Sequence, residues 1–77
     1  MTQDDFLKTI QVDGIRLDAF DLDGHGDECY VVAHRESRWD VYYSERGFET
    51  NARHFSTESA ALDYLLQALR ADPSTKV

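Results

Sequence analysis

Apolar side chains recur along this chain with two different spacings, and each change of spacing marks a new element. In MTQDDFLKTIQVDG, Phe6, Leu7 and Ile10 fall on one helical stripe. Thr2 and Asp5 have the spacing of a capping box, and acids in the first turn suit the positive end of the helix dipole. Gly14 is a stop signal, so the pattern predicts a helix over 3–11. The spacing then falls to two. IRLDAFDL (15–22) alternates, while ECYVVAH (28–34) and WDVYYS (39–44) are rich in β-branched and aromatic residues that fit a pleated surface. DGHGD (23–27) supplies a turn, and RESR (35–38) a hairpin loop. Helical spacing returns at Leu62, Leu65, Leu66 and Leu69, with Ser56 as cap, Glu58 in the first turn and Asp72-Pro73 as the stop.

These elements predict an α+β fold: an N-terminal helix, a three-stranded antiparallel sheet and a C-terminal helix packed on one sheet face. Residues 1–72 make its single domain and 73–77 a frayed tail. The strand period sets Cys29, Val31 and Ala33 on one side of their strand, and Tyr30, Val32 and His34 on the other. We expect Val31, Val41 and Trp39 beneath the C-terminal helix, with Tyr30, Val32, His34 and Tyr42 on an open face. Residues 42–55, YYSERGFETNARHF, fit no simple period: a doubled tyrosine runs into Ser44-Glu45-Arg46-Gly47 and then a polar passage ending at Phe55. Because Gly47 permits a turn closed to other residues, this stretch reads as a structural exit from the hairpin toward the last helix.

Charge sharpens the picture because it is uneven. Residues 1–28 carry Asp4, Asp5, Asp13, Asp18, Asp21, Asp23, Asp27 and Glu28 against only Lys8 and Arg16, within a chain of net charge −7. Residues 34–54 balance four acids against four arginines. Such a field repels nucleic acid and is drawn to a basic protein surface. Apolar content is ordinary for a globular fold, and no apolar run approaches the ~20 residues that cross a bilayer. The acidic N-terminus lacks the basic and apolar regions of a signal peptide, and the lone Cys29 forms no internal disulfide. The expectation is a cytoplasmic protein in a reducing compartment, with neither nucleic acid nor membrane as partner.

Candidate chemistry is thin. With Asp21 at position 1 of a calcium loop, Gly26 lands correctly, but His25 and Val32 occupy positions that need oxygen ligands. Cys29 and His34 lie on opposite sides of one strand, and His25 stands in a turn, so they do not converge as zinc requires. Glu45 and Arg46 are adjacent and diverge on an extended backbone, which leaves neither tuned for acid–base work. Arg46, Arg53 and His54 form a candidate anion cluster. The expectation is no enzyme, no cofactor and no metal.

WDVYYSERG, followed by a phenylalanine, a short polar stretch and STESAALDYLL, resembles small immunity proteins of bacterial polymorphic toxin systems. The likeness spans residues 28–70 and rests on Trp39, Tyr43, Ser44, Glu45, Arg46, Gly47, Phe55 and the alanine–leucine helix. It implies a protein that binds and blocks a cognate secreted toxin domain with a basic cleft. On that reading Asp18, Asp21, Asp23, Asp27 and Glu28 supply a steering field, Tyr30 and Tyr42 contact area, and Glu45 and Arg46 further contacts. The alternative is a small acidic cytosolic adaptor or regulatory module.

Overall fold

Thr2 Oγ1 accepts the Asp5 amide at 3.2 Å and the Asp5 carboxylate accepts the Thr2 amide in return. The computed structural model, which describes residues 1–77, therefore opens with a reciprocally capped helix, α1 (Gln3–Asp13). Gly14 ends it in the left-handed conformation, φ +69°. The second helix, α2 (Glu58–Ala71), is capped by Thr57 rather than Ser56, through a 3.2 Å bond from the Ala60 amide. Neither helix is long and apolar enough to cross a membrane.

Between the helices lie four strands: β1 (Phe20–Asp21), β2 (Cys29–Arg35), β3 (Arg38–Glu45) and β4 (Phe48–Phe55). They form one sheet in the order β1-β2-β3-β4. The α+β class is as expected, but the sheet is four-stranded and mixed, because β1 pairs parallel to β2 while the other pairs are antiparallel. The predicted first strand over 15–22 survives only as Phe20 and Asp21; Leu17–Ala19 coil into a 3-10 turn, and Leu17 is exposed. The predicted exit from the hairpin is instead a second hairpin. Arg46 and Gly47, at φ +52° and +83°, make a two-residue turn of the primed type, whose twist matches the strands it joins. Residues 48–55 then return along β3 as β4.

The faces also differ from expectation. Val32 pairs with Val41, and Tyr30 with Tyr43, so these residues share the helix side of the sheet. Val31 pairs with Tyr42, and both belong to a small cluster on the opposite side with Cys29 and Ala33. A strand's side chains alternate strictly, so the choice of Val31 as the helix-facing residue placed its whole strand one residue out. The main core combines Phe6 and Ile10 of α1 with Leu62, Leu65 and Leu69 of α2, all fully buried over Val32 and Val41. Both helices thus cover one face.

The other face is not open. Residues 22–28 lead from β1 back along β2, where glycines allow close approach: Gly24 lies against Ala33, and a Cβ on Gly26 would stand 2.5 Å from Cys29 Sγ. This loop lies over the cluster of Cys29, Val31 and Ala33. Tyr42, expected on an open face, is 5% exposed, with Arg35 over its ring at 5.2 Å. Residues 73–77, read from the sequence as a frayed tail, are tied down. Thr75 is buried and its hydroxyl donates to the Leu69 carbonyl at 2.7 Å, while the Val77 amide bonds to Gly14.

Candidate functional site

The most exposed regular element is β4. All its residues from Phe48 to His54 are exposed, one edge bonds to β3, and the other has no strand beside it. Its course is irregular. Arg53 pairs with Val41 and Thr50 with Tyr43, so Asn51 and Ala52 together oppose Tyr42 alone. Asn51 takes the left-handed φ of +55° that this bulge requires, a conformation asparagine tolerates better than most residues.

The extra residue decides where the side chains go. Thr50 and Arg53, three apart, would face opposite ways on a regular strand. Here both line the helix side, while Glu49 and His54 project to the opposite face. On that opposite face Asp40, only 1% exposed, gathers three partners: His54 Nδ1 at 2.7 Å, Arg38 at 3.2 Å and Arg35 at 3.3 Å. Arg35 also bonds the Glu49 carboxylate, so β2, β3 and β4 are laced across this face. Burial pushes the Asp40 carboxyl up, but His54, Arg38 and Arg35 together outweigh it and hold it below its ordinary value. Glu49 is likewise held low, by its bond to Arg35.

On the helix side, β4 and the last turns of α2 bound a groove of about 740 Å³. Tyr30 and Tyr43 meet edge to face at 5.1 Å along its floor, and Tyr64 lines it from α2, braced on Phe55 at 5.4 Å. Asp72, just past the helix end, accepts the Tyr30 hydroxyl at 3.1 Å and two bonds from Ser74. Those Ser74 bonds, helped by Tyr30 and the charge of Arg16, hold the Asp72 carboxyl below its ordinary value. Burial first, then the bond to and charge of Asp72, push the Tyr30 phenol up; burial with Glu45 and Glu28 does the same for Tyr43. At neutral pH the groove therefore presents neutral phenols beside a permanent carboxylate.

Of the residues singled out from sequence, Tyr30 and Tyr42 both border this groove, but Tyr42 is buried and packs with the outer-face cluster. Asp18 is exposed and paired with Arg16 at 2.9 Å. Asp21 shapes its own loop, accepting the amides of Asp23 and His25. Asp23, Asp27, Glu28, Glu45 and Arg46 are exposed. Pairing of Cys29 with Ser44 brings Glu28 and Glu45 to one end of the sheet, whereas Asp23 precedes Gly24, which stands against Ala33 further along β2. The proposed anion cluster does not assemble. Arg46 stands at the hairpin tip, Arg53 faces the groove, and His54 is held by Asp40 on the opposite face. Burial, then Asp21, Asp27 and Asp18, push the Cys29 thiol up, which leaves it a small apolar side chain rather than a nucleophile.

Tyr43, Tyr64 and Asp72 were not among the candidates from sequence, and Arg53 was a candidate only as part of the anion cluster that does not assemble. Only Tyr64 carried a local signal, an aromatic between two leucines of an otherwise aliphatic stripe. Comparison with family models, curated proteins and solved structures finds no match to this chain.

Proposed function

We propose that this chain is a toxin-neutralising immunity protein that binds a cognate secreted toxin domain and blocks it. The observation that carries this reading is the free edge of β4, eight residues long and exposed at all but Phe55, beside a tyrosine-lined groove. A strand edge of that length is a template for another chain. An extended segment of the partner adds to such an edge through main-chain hydrogen bonds, while side chains entering a neighbouring pocket set specificity. The bulge at Asn51 interrupts the edge and so disfavours indiscriminate pairing.

The charge distribution suits a basic partner. Glu28 and Glu45 lie at the end of the sheet beside the groove's tyrosines, and with the exposed Asp18, Asp23 and Asp27 they raise the rate of encounter with a positively charged cleft. Tyr42 leaves the list of contact residues because it is buried, and Asp21 serves the loop.

The test is co-expression with the protein encoded immediately upstream. Growth restored by this chain, with a complex recovered from the cells, supports immunity. A complex that protects nothing leaves an acidic adaptor, and housekeeping enzymes as neighbours in every relative overturn the toxin reading. Replacing Asp23 and Asp27 with asparagine should slow association at low salt and have little effect at high salt.

A further inference from the structure

We propose that the groove between α2 and β4 receives a basic side chain, an arginine or lysine carried by an extended partner segment laid against the β4 edge. This rests on the protein-binding reading above and adds the chemistry of the contact.

Charge along the groove selects the occupant. Its lower end holds Asp72, whose Oδ1 takes both Ser74 bonds while Oδ2 accepts only the Tyr30 hydroxyl and keeps acceptor capacity. Glu45 stands two residues beyond Tyr43 along β3, and Glu28 just before β2 at the same end of the sheet. The helix adds to them: α2 ends at Ala71, so the negative end of its dipole lies here, and the one basic residue of its last turn, Arg70, is engaged with Asp13. Asp72, the two glutamates and the end of α2 therefore make the lower end of a recess walled by Tyr30, Tyr43 and Tyr64 negative, and aromatic rings attract cations.

Arg53 is the only cation among the lining residues, and it stands higher, level with Val41 rather than with Tyr43. The one hydrogen bond of its guanidinium is to the neighbouring Ala52 carbonyl. The groove is thus polarised along its length, with a donor near the strand end of β4 and carboxylates near the hairpin. A partner strand running beside β4 places a side chain into the groove at every second residue. The residue that reaches the lower end meets carboxylates and aromatic rings, the environment that a guanidinium or ammonium prefers.

The probe is a blocked pentapeptide, threonine-valine-arginine-valine-threonine, titrated into the isotopically labelled protein and followed by NMR. Versions with glutamine or glutamate at the centre are the controls. The arginine peptide is expected to shift the signals of Tyr30, Tyr43, Tyr64 and Asp72, and the glutamate peptide to leave them in place. Asp72→Asn should weaken binding about fivefold and Glu45→Lys about threefold, the range of partly exposed charge pairs. Glu45 is exposed and has no bonded partner, so the second variant keeps the fold whatever the first one does.

Equal binding of the glutamine peptide would overturn the proposal, as would shifts confined to other surfaces or affinity unchanged in both variants. The protection assay separates this from the toxin reading. If cells are protected equally by the groove variants and no arginine peptide binds, the groove assignment fails and the toxin reading stands. If the peptide binds in the groove but the chain protects no cell, the toxin reading fails and the groove assignment stands.

Discussion

The two edges of this sheet are treated in opposite ways. At one, β1 is two residues long, runs parallel to its neighbour and turns at once into the loop that lies over the outer face of β2. At the other, β4 is eight residues long, exposed on both faces and free along one side. The closed edge is held by close backbone approach and buried apolar atoms. The open edge is held by its ladder to β3 and by the polar lacing around Asp40. A sheet built this way has one side on which a second chain can be added and one on which it cannot. On the proposed function, the partner strand adds at β4 rather than at the acidic loop.

That contrast can be broken from either side. The largest effect is expected at the closed edge. Gly26→Val would drive a side chain into Cys29, Asp21 and Val31, and should cost about 3 kcal/mol in chemical denaturation, as overpacking of a tight site does. A cost below about 0.5 kcal/mol, the level of an ordinary surface substitution, would mean that the loop does not seal this face.

Next comes the lacing. Asp40→Ala removes a buried carboxylate from three partly exposed cations and should cost about 2 kcal/mol, below the usual range for buried pairs because the cations remain in water. The pH dependence has a definite sign. Asp40 and Glu49 titrate below their ordinary values of 3.8 and 4.5 in the fold. The stability they contribute is complete above those values and lost as pH falls through the depressed ones. Denaturation across acid pH should show a steep loss in the native chain and a shallower one in Asp40→Ala.

The open hairpin should respond less. Nothing stands within 4 Å of a Cβ added to Gly47, so Gly47→Ala meets only the strain of φ +83°, about 1 kcal/mol. Arg46→Asn gives the turn a residue better suited to φ +52° and should stabilise by about 0.5 kcal/mol, visible as a small rise in Tm. Hydrogen exchange checks the contrast without mutation. Amides on the free side of β4 should exchange well before those shared between β2 and β3.

Much of this was legible in the residues, and the exceptions have local causes. Both helices and the β2–β3 hairpin announce themselves, because caps act within one turn and an apolar stripe repeats at the helical period. FETNARHF does not. Its residues from Phe48 to His54 are exposed whichever face they stand on, so it shows no alternating apolar pattern, and Arg46-Gly47 is a weaker turn signal than asparagine–glycine. The candidate site was harder still. Tyr30, Tyr43, Tyr64, Asp72 and Arg53 come from four separate elements or their ends and meet only when the sheet is assembled.

By itself the sequence determined the α+β class, the capped helices, the acid bias of the first 28 residues and the glycine-dependent turns, since each depends on neighbours within a few positions. Tertiary structure alone decided which face of β2 meets α2 and how the outer face is closed. It also decided that the bulge at Asn51 turns Arg53 toward the groove while His54 turns to Asp40. The physical reason is that strand register is a choice between two faces that differ by one residue, and only the packing of distant elements makes it.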